Sequence, residues 1–183
     1  EGIESLAAID KICAIGEIGL DYYWEPYDSE LQIRILREQF KIAKRCGLPV
    51  IIHNRNSTND LMELVRSEYD GGLLKGQFHS FSAGQEEANE CIKMGFYISF
   101  TGNITYKPND STRIAYGIVE QTPAEHLLLE TDTPYLPPMP YRGKQNEPSY
   151  VNHTAAKIAE LKGITPEELG RITSENARSL YGI

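Results

Sequence analysis

The chain has 183 residues, of which 40% are hydrophobic and 24% charged, so it can bury one sizeable core and is not a disordered segment. A net charge of −8 argues against a broad basic surface for non-specific nucleic-acid binding, although divalent ions in a local site can still attract a phosphate. No apolar stretch reaches the ~20 residues of a membrane helix, so we expect no membrane partner. Three distant cysteines without a CxxC motif favour a reducing, cytoplasmic location.

Short apolar stretches that end in polar residues recur along the chain. Five are predicted as buried strands: Ile12–Glu17, Leu48–His53, Gly76–Ser80, Tyr97–Thr101 and Leu127–Asp132. Each of them except the last precedes a segment with helical character. This alternation predicts βαβ units and a parallel sheet.

The clearest helix is predicted from about Ser29 to Cys46. Ser29 and Gln32 indicate a capping box at its start, and Gly47 indicates its end. The helix carries five basic residues on one side, which suits either a solvated face or a DNA contact.

Helices also close the chain. One is predicted to begin near Pro148 and to end at Gly163. Thr165 is predicted to cap a second helix that starts at Pro166, and a last short helix is predicted from about Ser174.

A parallel sheet covered on both faces belongs to an open doubly wound fold or to a closed barrel. The sequence contains neither GxGxxG nor a Walker loop, so the usual nucleotide sites of open sheets have no support. It does contain metal-ligand residue types at the carboxyl ends of four predicted strands, where TIM barrels build their active sites. The prediction is therefore an α/β chain of TIM (β/α)8 type, incomplete because five strands cannot close an eight-stranded barrel.

Four residues at predicted strand ends are the candidate metal ligands: Glu17, His53, His79 and Asp132. Each also has a structural interpretation, as an ion pair for the carboxylates or as a hydrogen-bonded rim residue for the imidazoles. Together, two imidazoles and two carboxylates form a mixed nitrogen and oxygen set that suits Zn²⁺ or Mn²⁺ and, with water, Mg²⁺. Glu130 stands two residues before Asp132 and is expected to share its face of the strand.

The motifs around these residues resemble the strand-end motifs of TatD-like metal-dependent hydrolases, a family of the amidohydrolase superfamily of TIM barrels. The matching segments are IGEIGLDYY, LPVIIHNR, GQFHSFSAG, YISFTGNIT, LLLETDTPYLPP and PYRGKQNEPSYV, which together span nearly the whole chain. Two features depart from the family pattern. The acidic position after His53-Asn54-Arg55 is shifted, and the HxH pair of the family's first strand does not occur.

The resemblance implies a two-metal site in which Glu17 bridges both ions, His53 and His79 hold one, and Asp132 holds the other. Asp132 and Glu17 are then the catalytic residues, and the reaction is hydrolysis of phosphodiester bonds by metal-activated water. On the family's layout, residues 1–183 are one domain that supplies strands four to eight. Three upstream β/α units are therefore expected to be absent, in keeping with a first residue that is not methionine.

Cationic and aromatic residues near the predicted site are candidates for contacting DNA. Arg55, Arg142 and Lys144 are the candidate phosphate contacts, while the two in the loop can equally be exposed cations. Tyr22, Tyr23 and Trp24 are interpreted either as a base-stacking surface or as rim packing. His126 and His153 are interpreted as structural or surface residues.

Three functions remain open from the sequence. The first is a 3′–5′ deoxyribonuclease acting on single-stranded DNA or on 3′ ends. The second is an amidohydrolase-superfamily enzyme for another small substrate. The third is a non-catalytic truncated remnant that assembles with a partner or with itself through exposed barrel edges.

Overall fold

A computed structural model describes residues 2–183 and contains, within them, one sheet of five strands. The strands lie in chain order as β1 (Ile15–Asp21), β2 (Val50–Arg55), β3 (Gly76–Phe78), β4 (Tyr97–Phe100) and β5 (Leu127–Leu129). Every neighbouring pair is parallel. The predicted α/β class with a parallel sheet of five strands is confirmed, and the sheet is short of the eight strands that close a TIM barrel.

Helices connect the strands as the sequence predicts. The bounds are α1 (Gly2–Ala7), α2 (Ser29–Cys46), α3 (Thr58–Glu68), α4 (Gln85–Lys93), α5 (Asp110–Gln121), α6 (Val151–Lys162) and α7 (Pro166–Tyr181). Short 3₁₀ turns lie at Gly102–Thr105, Ala124–His126 and Pro148–Tyr150. Helix α1 was not predicted, because its six residues form too short a window for a helical period to show.

Helix α2 has the predicted bounds but a different cap. The Asp28 side chain accepts a hydrogen bond from the Leu31 N–H, so the capping box at Ser29 is wrong. Gln32 instead bonds the backbone of Asp21, accepting from its N–H at 2.8 Å and donating to its carbonyl at 2.9 Å. This pair of bonds fixes the end of β1 against the start of α2.

The last helix is longer than predicted. Thr165 caps α7 as expected, since its hydroxyl accepts from the Glu168 N–H at 3.1 Å. The separate helix predicted from Ser174 is wrong, because α7 runs unbroken from Pro166 to Tyr181. Its buried polar residue Asn176 donates to the carbonyls of Ala124 and Leu127, which ties the helix to the start of β5.

The core lies between the sheet and the helices packed against it. Buried side chains of the strands meet those of α2, such as Leu36 and Phe40, and one continuous cluster includes members of every strand. Within the described residues β1 and β5 are each paired on one side only. Self-association through these edges stays a prediction.

Two further expectations concern the cysteines and the membrane. Cys13, Cys46 and Cys91 are free thiols. Among residues 2–183, no helix has both the length and the apolar character that crossing a bilayer requires.

Candidate metal centre

An irregularity in the pairing of β1 with β2 turns the side chain of Glu17 toward the candidate metal site. Strand β1 pairs Ile15 with Val50 and then Ile18 with Ile52, so β1 carries one more residue than β2 over this stretch. Such a bulge bends the strand and re-aims a side chain, and bulges are frequent beside active sites. Glu17 lies in this bulge, with a side chain that is about half exposed.

The Glu17 carboxylate faces both imidazoles. Its Oε2 lies 3.9 Å from His53 Nδ1, and its Oε1 lies 3.7 Å from His79 Nε2. One ligand atom from each of these three residues falls within 4.8 Å of the others. The donor set, one carboxylate between two imidazole nitrogens, fits a divalent ion such as Zn²⁺ or Mn²⁺.

Asp132 adjoins this group of three at His79. Its Oδ1 lies 3.7 Å from His79 Nε2, the same nitrogen that faces Glu17. Asp132 adopts a left-handed backbone with φ 58°, as does Ser80, which follows His79, with φ 42°. Left-handed backbone at residues other than glycine is strained, and such residues concentrate at functional sites.

The site residues occupy their strands differently from the prediction. Glu17 and His53 lie inside β1 and β2 rather than at their ends, because the parallel ladder continues to the pair Asp21 and Arg55. His79 follows β3 directly, and Asp132 lies beyond the end of β5. The predicted convergence is nevertheless what the structure shows: three of the four residues form one tight group and the fourth touches it.

Two carboxylates outside the predicted ligand set contact the imidazoles. Asp21 Oδ2 lies 3.3 Å from His53 Nε2, on the side of the ring away from Glu17. Glu130 Oε2 bonds His79 Nδ1. Each imidazole therefore keeps one nitrogen on a carboxylate and turns the other toward the common centre, which fixes the tautomer that can bind a metal.

Glu130 and Asp132 do not share a strand face, because β5 ends at Leu129. They contact opposite nitrogens of the same ring, Glu130 at Nδ1 and Asp132 at Nε2. The sequence does mark Glu130 as a second acid close to a candidate ligand. Its contact with His79 is seen only in the folded structure.

The pKa values of His79 and Asp132 are both raised, but by different main causes. Burial opposes the protonated form of His79, but the hydrogen bond and charge of Glu130, with Glu17 and Asp132 nearby, raise the pKa of His79 above its usual value. Burial also raises the pKa of Asp132, with the charges of Glu17 and Glu130 adding to the effect and His79 opposing it. The carboxylates that contribute to both shifts are Glu17 and Glu130, and a bound cation would offset their negative charge.

Arg55 lies on the same strand as His53 and two residues later, so the two side chains share a face of the sheet. Its guanidinium lies 3.7 Å from the ring centroid of Tyr23 and 5.5 Å from that of Trp24. Tyr23 and Trp24 are 50% and 68% exposed, whereas Tyr22 stacks on Tyr27. The structure thus places Arg55 in an exposed aromatic cluster, and Tyr22 in rim packing.

The other two candidate cations lie in the loop after β5. Arg142 sits 4.6 Å from the ring centroid of Tyr106, and Lys144 sits 5.8 Å from that of Tyr141. Tyr106 helps to line a groove of about 700 Å³, together with residues that follow β3, β4 and β5 such as Phe81, Asn103 and Leu136. This groove opens at the same end of the sheet as the candidate ligands.

The remaining histidines lie apart from the group of ligands. His126 Nδ1 lies 3.1 Å from the carbonyl oxygen of Phe96, and its ring packs on Tyr97. His153 packs edge-on against Tyr141 and Tyr150. Both have the structural roles that the sequence suggested.

Comparison with known proteins is consistent with this geometry. Over residues 1–182 the chain matches the profile of the family described as TatD related DNase. The chain belongs to this family. A Bacillus subtilis (strain 168) protein named as a metal-dependent hydrolase, YabD, is 44% identical over 181 residues, which cover 99% of this chain and 69% of that protein.

Two other TatD relatives bear on fold and activity. The crystal structure of YJJV, a TatD homolog from Escherichia coli K12, matches with a TM-score of 0.90 at 30% identity and covers 99% of this chain and 69% of that one. A protein of Citrobacter rodentium (strain ICC168) named 3′-5′ ssDNA/RNA exonuclease TatD is 33% identical over 188 residues, covering 100% of this chain and 70% of that protein. The chain is accordingly a metal-dependent hydrolase of the TatD family with the parallel sheet of its barrel fold.

Proposed function

We propose that this TatD-family chain hydrolyses phosphodiester bonds of single-stranded DNA from the 3′ end, with divalent ions held by Glu17, His53, His79 and Asp132. The observation that carries the proposal is the single carboxylate of Glu17 facing both imidazoles at 3.7 and 3.9 Å. The name of the Citrobacter rodentium relative supports a nucleic-acid substrate. Two ions for the complete family site follow from the family pattern rather than from these residues.

Each residue has a distinct task in the proposed reaction. Glu17 and the two imidazoles would hold one ion, which would supply Lewis acidity to activate water and to offset charge on the phosphoryl oxygens. Asp132, whose Oδ1 lies 3.7 Å from His79 Nε2, accepts the proton of the attacking water.

The substrate strand is proposed to run between the exposed aromatic cluster and the groove. Tyr23 and Trp24 offer exposed rings on which bases can stack, and Arg55 offers a cation beside them. Arg142 lies next to Tyr106 at the groove, where it can contact a phosphate, with Lys144 in the same loop. These local cations suit an anionic substrate on a chain whose net charge is −8.

We also propose that residues 1–183 act as one TatD-like domain in a reducing, cytoplasmic environment. One continuous hydrophobic cluster and three free thiols support these two statements.

The direct test is a nuclease assay on a 3′-labelled single-stranded oligonucleotide with and without added Mg²⁺, Mn²⁺ or Zn²⁺. We expect mononucleotides to be released from the 3′ end, the release to stop with chelator, and Glu17→Ala to lower the rate by at least about 100-fold. Glu63→Ala is the matched control, because Glu63 lies exposed on α3.

Substrate specificity is tested in parallel with a panel of small esters, lactones and amides. Hydrolysis of such a compound by the wild type but not by Glu17→Ala, with no release from DNA, would favour the other amidohydrolase-superfamily activity. Failure of every substrate together with no metal uptake would contradict the proposal and favour a non-catalytic chain.

A further inference from the structure

A line of hydrogen bonds leads from the candidate metal centre to the last helix. Tyr181 on α7 donates its hydroxyl to Gln77 Oε1 at 2.6 Å. Gln77 Nε2 donates to Ser99 Oγ at 3.4 Å, and Ser99 Oγ donates to Glu130 Oε1 at 2.5 Å. Glu130 then bonds His79 through its other oxygen. The line therefore connects helix α7, strands β3 and β4, and the residue that follows β5.

All donors in this line point the same way, toward the Glu130 carboxylate. Oε1 accepts hydrogen bonds from the hydroxyl of Ser99 and from the Ser80 N–H at 2.7 Å, while Oε2 bonds Nδ1 of the His79 ring. Hydrogen bonds aligned in one direction polarise one another, so each strengthens the next. The arrangement holds the Glu130 carboxylate in one orientation.

The line is closed to water along most of its length. Ser99 has no exposed surface, Gln77 is 6% exposed, and His79 is 6% exposed. A polar side chain in such a place costs free energy unless its hydrogen bonds are made. Within residues 2–183, no buried side-chain nitrogen or oxygen lacks a partner. Removal of the Tyr181 hydroxyl thus takes from Gln77 Oε1 the bond that it accepts, whereas removal of the Ser99 hydroxyl leaves Glu130 Oε1 with the Ser80 N–H.

The position of Tyr181 is itself fixed. Asn176, more than one helical turn earlier on α7, donates to the carbonyls of Ala124 and Leu127 at 2.8 Å each. Leu127 is the first residue of β5, the strand that leads to Glu130 and Asp132. These two bonds hold helix α7, which carries Tyr181, against the start of β5.

We propose that Tyr181 is a positioning residue for the metal centre, acting through Gln77, Ser99 and Glu130 on the orientation of His79. The inference rests on the proposed metal site. The Glu130 carboxylate holds Nδ1 of His79 so that Nε2 faces Glu17 and Asp132, and the bonds behind it hold the carboxylate. Outer partners of this kind tune metal affinity by fixing ring orientation and ligand basicity.

Cobalt(II) titration of the metal-free chain, followed by visible absorption, tests the inference. The bands of bound cobalt report the geometry of its ligands, so they respond to a turned imidazole and not to lost stability alone. We expect Glu130→Ala to weaken cobalt binding about 10- to 100-fold, Ser99→Ala to weaken it about 10-fold, and Tyr181→Phe about 3-fold. Each variant should also shift the bands of the saturated complex.

Thr173→Val is the matched control for Tyr181→Phe. Thr173 is buried on the same helix and loses a hydroxyl bond to the Leu169 carbonyl, but it lies outside the line. We expect wild-type cobalt affinity and bands from it. Wild-type affinity and bands from Tyr181→Phe would overturn the inference. If that variant does not fold, the same result from Ser99→Ala, which lies on strand β4, decides against it.

Failure of the metal site itself gives a different result. If the wild-type chain binds no cobalt, or if Glu17→Gln binds it as tightly as the wild type, the proposed function fails and the inference falls with it. If the wild type binds cobalt and Glu17→Gln does not, the site stands, and the Tyr181 and Ser99 variants alone decide the inference.

Discussion

At the scale of single residues, the candidate site depends on which nitrogen of each imidazole is committed to a carboxylate. His53 gives Nε2 to Asp21 and turns Nδ1 toward Glu17, whereas His79 gives Nδ1 to Glu130 and turns Nε2 inward. A neutral imidazole can bind a metal only through the nitrogen that carries no proton. Each outer carboxylate therefore selects the nitrogen that is left for the ion.

Asp21→Asn tests this selection at His53. The Asn oxygen can keep the bond that Asp21 Oδ1 accepts from the Tyr23 N–H at 2.9 Å, but its amide would then present a donor to His53 Nε2. That donor favours the tautomer with the proton on Nδ1, the nitrogen that faces Glu17. We expect metal affinity, measured by titration calorimetry with Zn²⁺, to fall about 10- to 100-fold.

The control for this change is Asp70→Asn, which removes the same charge from an exposed position after α3. Equal zinc affinities for Asp21→Asn and the wild type would show that Asp21 does not orient the ring.

How far the sequence predicts the site follows from the same residues. Glu17, His53, His79 and Asp132 stand out because acids and histidines after apolar runs are rare enough to notice. The sequence does not reveal the role of Asp21, because its contact with His53 depends on which residues of β1 and β2 pair with each other. The roles of Ser99 and Gln77 are harder still to predict from the sequence, since polar residues within strands are usually assigned to a solvated face.

At the scale of elements, the contact between β1 and β2 sets the spacing of the site. Gly19 pairs with His53, and a Cβ built on Gly19 would lie 2.0 Å from the His53 carbonyl oxygen. Only a glycine allows the two strands to approach each other this closely. Glu17 lies on one of these strands and His53 lies on the other.

Gly19→Ala is therefore expected to push β1 from β2 and to separate Glu17 from His53. We expect a loss of about 2–3 kcal/mol in the free energy of unfolding, measured by urea denaturation, together with weaker zinc binding. Gly170→Ala is the control, because a Cβ there meets nothing within 4 Å in helix α7. It should raise stability by up to about 1 kcal/mol. A Gly19→Ala chain as stable as the wild type would contradict the close approach.

The elements show where local sequence suffices and where it does not. The bounds of α2 follow from its apolar face and from Gly47 in a left-handed conformation, φ 67°, and they were predicted. The sequence predicts helix α7 in two pieces, whereas Thr173 and Asn176, on either side of the predicted start at Ser174, lie in one continuous helix. Their polar groups are satisfied by Leu169 within the helix and by Ala124 and Leu127 outside it, which only the tertiary fold supplies.

At the scale of the whole molecule, a bound ion would link strands that are far apart in sequence. Its ligands come from β1, β2 and the segments after β3 and β5, so binding opposes the separation of these strands. A ligand that binds only the folded chain stabilises it by ~2.7 kcal/mol at 100 times its dissociation constant. For a chain of this length that corresponds to a rise of about 5–10 °C in Tm.

The pH dependence of this stabilisation has a definite sign. The pKa of His79 is raised in the metal-free fold, so its protonation favours folding at low pH, and that contribution is lost as pH rises through the raised pKa. An ion must displace the same proton, so metal affinity weakens as pH falls. We therefore expect the rise in Tm with Zn²⁺ over chelator to be large at about pH 8 and small at about pH 5.5.

Thermal unfolding followed by circular dichroism at both pH values, with zinc or with chelator, measures this directly. Glu17→Gln should show no zinc-dependent rise at either pH, because the oxygen that faces His79 Nε2 or the one that faces His53 Nδ1 is replaced by a donor nitrogen. A stabilisation by zinc that grows toward low pH would contradict proton displacement from His79. Such a trend would place the bound ion on groups that do not compete with protons in this range, away from the two imidazoles.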